Sequence, residues 1–374
     1  MMSTFPGGLL TPPDEYFTHQ VPFPHAVVGS SDPSWRERYW FSVQDTANRD
    51  VVLTCGLGQY PNQNTQEAFV SLAIGAVQHN LRLARALLPE SHLTRVGPFR
   101  VEVVEPLRAL RLVLEPNPAG VEFDLLWTGT MEPLLEDRHF QLSRARVVHD
   151  LIRYVQVGRA AGWLRAGDRQ FTLDETTWWG ERDHSWGVRP IPAVAGEPPP
   201  MSPEWRLLVF CPLQFETFGL HLYLYEAQPG RPLHLSAGIM RPPGHSEPAD
   251  LIDSVTHDLR WRDGAPVLTL DDGDLSVRLV DGRVFDIHLR AEAGRAYLRG
   301  GGYGGVDGWY QGHWKGDQSI EHETWALDDP DVLPTYAKAS SDHLVQARCG
   351  DEIGYGVIEY VVLRGYPTYP PAKG

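Results

Sequence analysis

The chain has 374 residues, of which 42% are hydrophobic and 22% are charged, a length and composition typical of a folded protein with two domains. It contains no apolar run long enough to span a membrane, and its N-terminus lacks the basic start and apolar centre of a signal peptide. We therefore predict a cytoplasmic protein without membrane insertion. The formal net charge of −15 repels phosphate groups, which argues against nucleic acid as a partner and favours a neutral or cationic ligand.

The first half of the chain contains many short runs in which apolar and polar residues alternate. Bounded by Pro, Gly or Asn, such runs predict β-strands, among them RYWFSVQD, DVVLTCGLG, FRVEVVEP, ALRLVLEP and VEFDLLWTG. The segment 69–89 has the Ala and Leu content of a helix, but the alternation of Leu72, Ile74 and Ala76 favours strand. Many short strands at close intervals indicate a sandwich or barrel.

A proline-rich stretch near the middle of the chain predicts a linker. Prolines cannot donate to a strand ladder and favour an extended conformation; here they are Pro190, Pro192, Pro198, Pro199, Pro200 and Pro203. A boundary near residues 193–203 follows, and we predict an N-terminal domain over 1–195 and a C-terminal domain over 196–374.

The second half of the chain predicts a β-meander. The runs VLTL, LSVRLV and VFDIHLRAE are separated by the segments 271–273 (Asp-Asp-Gly) and 281–282 (Asp-Gly). These residue types are typical of tight turns between strands, so the pattern predicts three consecutive antiparallel strands.

The segment 182–187 (RDHSWG) is the part of the chain richest in groups able to do chemistry. Alternate side chains of a strand share a face, so Arg182, His184 and Trp186 are expected on one side and Asp183 on the other. A neighbouring cation favours the neutral imidazole, which can act as a base, and the indole face can stabilise developing positive charge. The alternative is structural, with Arg182 and Asp183 paired and His184 and Trp186 filling the core.

Two other patterns resemble functional motifs only superficially. Gly300, Gly302 and Gly305 have the spacing of a dinucleotide fingerprint, but a strand or turn pattern follows them where the fingerprint needs a helix. We interpret them as a flexible hairpin. His313 and His322 lie among acidic residues without the spacing of a metal-binding helix, so we predict neither a metal nor a cofactor.

Aromatic residues are dense on both sides of the predicted linker. Clustered indoles commonly line apolar ligand cavities, although packing of the core or between lobes explains them equally well. The pattern favours a hydrophobic small molecule as the partner, bound by Trp178, Trp179, Phe215, Phe218, Tyr303, Trp309 and Trp314.

The segment 158–189 (GRAAGWLRAGDRQFTLDETTWWGERDHSWGVR) resembles the AttH-like and carotenoid 1,2-hydratase (hydroxyneurosporene synthase) lipocalin-like superfamily. Members carry a Gly-x-(Ile/Leu/Val)-x-x-x-Gly run, a short hairpin and then a His-x-Trp strand, which here is His184-Ser185-Trp186. The resemblance implies an all-β fold of two lipocalin-like (calycin) antiparallel β-barrel lobes packed side by side. A hydrophobic ligand site is then expected between or within the lobes.

The resemblance also implies a second pair of site residues. In the carotenoid hydratases the His and Trp act together with a Tyr-x-Asp pair on a later strand. Aligning that strand with PLQFETFGLHL places Gln214 at the Tyr position and Glu216 at the Asp position. The tyrosine is therefore missing and the carboxyl group is one methylene longer, which puts carotenoid hydration itself in doubt.

These observations lead us to expect a cofactor-independent hydratase, isomerase or cyclase acting by acid–base chemistry on a hydrophobic isoprenoid, steroid-like or aromatic compound. In this hypothesis Glu216 protonates an alkene or orients water, His184 relays the proton, and Trp186 faces the cation. Arg182 favours the neutral form of His184, and Asp183 is predicted to be a further catalytic residue. Two alternatives stay open: a lipocalin-like carrier without chemistry, and a His-x-Trp motif that only supports folding where the lobes meet. A homodimer is also left open.

Overall fold

Alternating apolar residues form strands along most of the chain in the computed structural model, which describes residues 15–16, 27–143, 146–189, 204–245 and 250–371. Twenty-two strands account for nearly all the regular structure of these residues. The remainder includes 3₁₀ turns at Pro61–Gln63 and Leu298–Gly301 and one helical turn, α1 (Leu333–Tyr336). None of the helices in the described ranges is long and apolar enough to cross a membrane. The all-β prediction is confirmed.

The first lobe is one large antiparallel sheet built mainly from the first half of the chain. Its strands are β1 (Trp35–Asp45), β2 (Val51–Tyr60), β3 (Thr65–Ile74), β4 (Val77–Ala86), β5 (Arg95–Val96), β6 (Phe99–Glu105), β7 (Ala109–Leu114), β8 (Val121–Gly129), β9 (Leu134–Leu135), β10 (His139–Ser143), β11 (Arg146–Ala166), β12 (Arg169–Leu173) and β13 (Trp178–Val188). Within it, β13 lies between β1 and β11, and the order continues through β8, β7 and β6 to β5. On the other side of β1 come β2, β3 and β4.

This sheet curls around its own core, which is formed by the inward-facing residues of its strands. Tyr39 and Phe41 on β1 and Trp127 on β8 are all fully buried there. Burial of a large apolar side chain contributes roughly 1.5–3 kcal/mol each. Strands far apart in this order approach one another, since Arg85 Nε on β4 donates to the carbonyl oxygen of Arg95 on β5 at 2.9 Å.

The second lobe is an antiparallel sheet of eight strands around a separate core. Its strands are β14 (Leu207–Gln214), β15 (Gly219–Gln228), β16 (Arg231–Met240), β17 (Ile252–Trp261), β18 (Leu270–Leu279), β19 (Val284–Tyr297), β21 (Ser341–Cys349) and β22 (Glu352–Val362). Their order is β16-β15-β14-β22-β21-β19-β18-β17. Inward residues such as Leu222, Val277 and Ile287 form its core. The prediction of two lipocalin-like antiparallel lobes is confirmed.

One strand of the second half joins the first lobe. β20 (Gln318–Ala326) pairs antiparallel with β4. The loop before β20 also lies on the first lobe, because Arg38 Nη1 donates to Gln311 Oε1 at 3.1 Å and the Gly312 amide donates to Glu67 Oε2 at 2.9 Å. The division at residue 195 stays a prediction, since the proposed linker at 193–203 falls outside the described residues.

The predicted meander has one correct turn and one wrong one. Asp281-Gly282 does connect β18 to β19, and Gly282 has a φ of +90°. The segment 271–273, by contrast, lies inside β18 and pairs with β17. Gly273 serves close packing there, because a Cβ atom on it would lie 2.8 Å from Leu259 Cδ2. The adjacent Asp272 forms an ion pair with Arg260 on β17, so its charged side chain joins two neighbouring strands and does not form a turn.

One other prediction about local structure is confirmed and one is corrected. The segment 69–89 forms β3 and β4, joined at Gly75 with a φ of +58°. The glycine triplet does not form the predicted hairpin, because Gly300 lies in the 3₁₀ turn Leu298–Gly301 and packs closely on Asn80. Gly302 and Gly305 have φ of +86° and +85° in an irregular loop, and β20 is the next regular element.

Candidate active site

His184 occupies the centre of the first lobe's sheet. In the strand register it faces Tyr39 on β1 and Tyr154 on β11, with ring centroids 4.5 Å and 5.4 Å from the imidazole. All three side chains are fully buried. The alternation predicted for RDHSWG therefore directs the imidazole into the interior of the lobe.

A carboxylate and a phenol hold the imidazole from opposite sides. His184 Nε2 lies 3.0 Å from Glu37 Oε1, and His184 Nδ1 lies 3.2 Å from the Tyr154 hydroxyl. Gln59 Nε2 donates to the second oxygen of Glu37 at 3.3 Å. Burial raises the pKa of Tyr154 well above its usual value even though Arg182 opposes the effect, so this phenol stays a hydrogen-bond donor.

This group has two hydrogen-bonding arrangements that differ by one proton. In the first, neutral His184 donates from Nε2 to Glu37 and accepts the Tyr154 proton at Nδ1. In the second, charged His184 donates from both nitrogens, and Tyr154 turns its proton to Glu15 Oε1, 3.0 Å away. A proton can thus arrive at or leave the imidazole while its heavy atoms stay in place, as an acid–base group requires.

Arg182 binds a carboxylate beside this group. Its Nη1 and Nη2 atoms donate to the two oxygens of Glu15, each at 2.8 Å, and both side chains are fully buried. The Leu107 amide adds a hydrogen bond to Oε2 at 2.8 Å, and the Tyr39 hydroxyl donates to the Glu15 carbonyl oxygen. Burial disfavours the charged guanidinium, but Glu15 outweighs this effect and the pKa of Arg182 lies above its usual value.

Trp186 and Asp183 take the positions that the strand alternation predicts. Trp186 is on the His184 side, partly buried, with its ring 5.5 Å from the imidazole. Asp183 points to the opposite side, where it lies 3.5 Å from Arg153, and the guanidinium of Arg153 packs on Phe210 and Tyr223 of the second lobe. Burial raises the pKa of Asp183, although Arg153 opposes this effect. Asp183 therefore belongs to a different environment from His184.

The structure corrects the prediction that Glu216 acts in the same site as His184. Glu216 follows β14 in the second lobe, its side chain is 65% exposed, and its carboxylate pairs with Arg159 at 2.8 Å. The carboxylates that approach the site instead are Glu15 and Glu37. Gln214, at the position aligned with the tyrosine of the carotenoid hydratases, is fully buried in the second lobe.

The aromatic residues predicted to bind substrate do not converge on one cavity. Trp178 lies in the first core, while Phe215 and Phe218 stack at 4.5 Å in the second. Trp179 packs on Arg159, with 4.3 Å from the guanidinium carbon to the ring. The remaining three lie in the loop before β20: Tyr303 contacts Arg38, Trp309 is buried, and Trp314 is 49% exposed.

Sequence reasoning missed Glu15, Glu37 and Tyr154. A signal existed for Glu37, because it shares a strand face with Tyr39 and Phe41, where an acidic residue is out of place unless it has a buried partner. No local pattern marks Glu15, which is 167 residues from Arg182 in the chain. Among the described residues no group of three or more His, Cys, Asp or Glu side chains could hold a metal ion.

Fold and site together define an all-β protein of two lipocalin-like lobes with a buried carboxylate–histidine–tyrosine group in the first lobe. The chain belongs to a family described as "Family of unknown function (DUF8625)", which matches residues 10–369. No curated protein matches the sequence. Among solved structures, the chain is similar to the crystal structure of kievitone hydratase from Nectria haematococca, with 12% identity and a TM-score of 0.41 over 93% of this chain and 95% of that one.

Proposed function

We propose that the protein is an enzyme that uses His184 as an acid–base group on a hydrophobic small molecule, without a cofactor. The observation that carries this proposal is the fully buried His184 held between Glu37 and Tyr154. A carboxylate on one nitrogen orients the ring, and a phenol on the other supplies a path for the proton.

The reactions that suit this group are hydration, isomerisation and ring closure of an alkene. In a hydration, the charged imidazole delivers its proton to one carbon of the double bond. Water then adds its oxygen to the other carbon and loses a proton, which returns to His184. Trp186, whose ring lies 5.5 Å from the imidazole, would face the cationic carbon. An isoprenoid, steroid-like or aromatic alkene fits these roles.

The test does not require the substrate to be known. Extracts of small molecules are incubated with the full chain in water enriched in ¹⁸O and compared by untargeted mass spectrometry with chromatography. A hydration yields a product heavier by one labelled water, and an isomerisation or ring closure yields a new peak of unchanged mass. The product is expected with the natural chain and is expected to be lost with His184→Gln.

A matched control is available in a second buried histidine–carboxylate pair. His221 Nε2 lies 2.7 Å from Glu136 Oε1, and both residues are buried where the two lobes meet. His221→Gln, like His184→Gln, removes a buried imidazole that contacts a carboxylate, but it leaves the His184 group unchanged. The product formed by the natural chain should therefore still form with His221→Gln. A product that survives His184→Gln, or is lost equally in both variants, would overturn the proposal. A compound that copurifies and returns chemically unchanged would favour a carrier.

A further inference from the structure

We infer that Arg182, Tyr154 and the Leu107 amide form a binding site for a ligand carboxylate. In this structure the carboxylate of Glu15, which belongs to the same chain, occupies the position of the ligand carboxylate. The inference rests on the proposed function and adds a substrate class to it: a hydrophobic compound that carries a carboxylate. Glu15 reaches the site from a segment remote from it in the chain, 92 residues from Leu107 and 167 from Arg182.

The site is held in place by the first lobe itself. Gln156 Oε1 accepts hydrogen bonds from Arg182 Nε at 3.0 Å and from Nη2 at 2.8 Å, which fixes the plane of the guanidinium. The guanidinium carbon lies 5.2 Å from the Trp127 ring and 5.1 Å from the Tyr154 ring. None of these contacts involves Glu15, so the cation is oriented independently of its present carboxylate.

The backbone donor of the site is held in an unusual conformation. Leu107 has a φ of +60°, in the left-handed region that residues other than glycine seldom adopt. Its carbonyl oxygen accepts a hydrogen bond from Gln156 Nε2 at 2.9 Å, and its amide points to Glu15 Oε2. One glutamine side chain thus positions both the guanidinium and the strained amide for a carboxylate.

The carboxylate position is also next to the acid–base group. The Tyr154 hydroxyl lies 3.0 Å from Glu15 Oε1 and 3.2 Å from His184 Nδ1. A ligand carboxylate in place of Glu15 would therefore hold the adjoining carbon atoms near the imidazole. Exchange of one carboxylate for another also preserves the charge balance of a buried site, which displacement by a neutral molecule would not.

The test measures binding and needs no turnover. Hexanoate and hexanamide, equal in length but different in charge, are titrated by calorimetry into the natural chain and into Glu15→Gln. Because Glu15 is part of the chain, its carboxylate competes with hexanoate at a high effective concentration. Weakening the interaction of Glu15 with Arg182 should therefore tighten hexanoate binding by at least about tenfold. Hexanamide binding should not change. The neutral pair Glu15→Gln with Arg182→Gln should lose the preference for hexanoate.

Glu15→Asp supplies a second route if the glutamine variant does not fold. The aspartate side chain is one methylene shorter, so its carboxylate should bind Arg182 less tightly. Hexanoate should therefore again bind more tightly than it does to the natural chain. Equal affinity for hexanoate and hexanamide in the folded Glu15 variants overturns the inference. That result leaves the proposed function intact if a neutral compound is still converted in a His184-dependent way. Conversely, hexanoate selectivity without His184-dependent turnover would support a carboxylate-binding carrier.

Discussion

Replacing Asp342 with asparagine is expected to remove a pH dependence from the stability of the protein. Asp342 is on β21, fully buried where the second lobe meets the first. Neither of its carboxyl oxygens has a well-formed hydrogen bond within the described part of the chain. Burial raises the pKa of Asp342 well above its usual value and Glu359 adds to the shift, while the hydroxyls of Thr54 and Ser42 oppose it.

The sign of the effect follows from proton linkage. An aspartate in the unfolded chain has a pKa of about 3.9. Between that value and the higher pKa of the folded state, the folded protein holds a proton that the unfolded chain has lost. The free energy of unfolding therefore falls as the pH rises, by about 1.4 kcal/mol per pH unit. Asparagine carries no such proton, so Asp342→Asn should gain stability relative to the natural chain as the pH rises toward the folded-state pKa, by up to about 1.4 kcal/mol per pH unit.

The measurement is urea unfolding of the natural chain and the variant at pH 5, 6, 7 and 8, followed by tryptophan fluorescence. Asp124→Asn is the control, because the hydrogen bond from Arg111 lowers the pKa of Asp124. Stability from that pair is present above the unfolded pKa and is lost only in more acidic solution, so this variant should show a constant difference over the same range. A constant difference for Asp342→Asn as well would refute the reasoning.

Two further predictions concern packing between parts of the molecule. Arg153→Met should lower the free energy of unfolding by about 3–5 kcal/mol, because it leaves the buried carboxylates of Glu136 and Asp183 without this cation. The control Arg138→Met breaks an exposed ion pair with Asp150 and should lower the free energy of unfolding by less than about 1 kcal/mol. Equal losses in urea unfolding would contradict this. Gly300→Ala places a Cβ atom 1.9 Å from Asn80 Oδ1 and should be destabilising by about 1–3 kcal/mol. A double-mutant cycle with Asn80→Ala should recover part of the loss, and strict additivity would contradict the clash.

At the candidate site, the alternation of residues in a strand predicted the direction of the side chains but not their partners. Alternation correctly placed His184 and Trp186 on one side of β13 and Asp183 on the other, because side-chain direction in a strand depends only on the local backbone. It could not identify the partner of the imidazole. The carboxyl group expected to act with His184 was Glu216 of the second lobe, and the one beside the imidazole is instead Glu37, which the register of β1 against β13 brings within 3.0 Å.

The amino-acid sequence by itself determined the all-β class, the strands of the segment 69–89 and the turn at Asp281-Gly282, since apolar alternation and turn chemistry act over a few residues. Tertiary structure decided the rest. It placed β20 on the edge of the first lobe, kept Gly273 inside a strand, and brought Glu15 to Arg182 across 167 residues. Such contacts arise from sheet closure and from the need of buried charges for partners, and no short stretch of sequence encodes which distant residue supplies them.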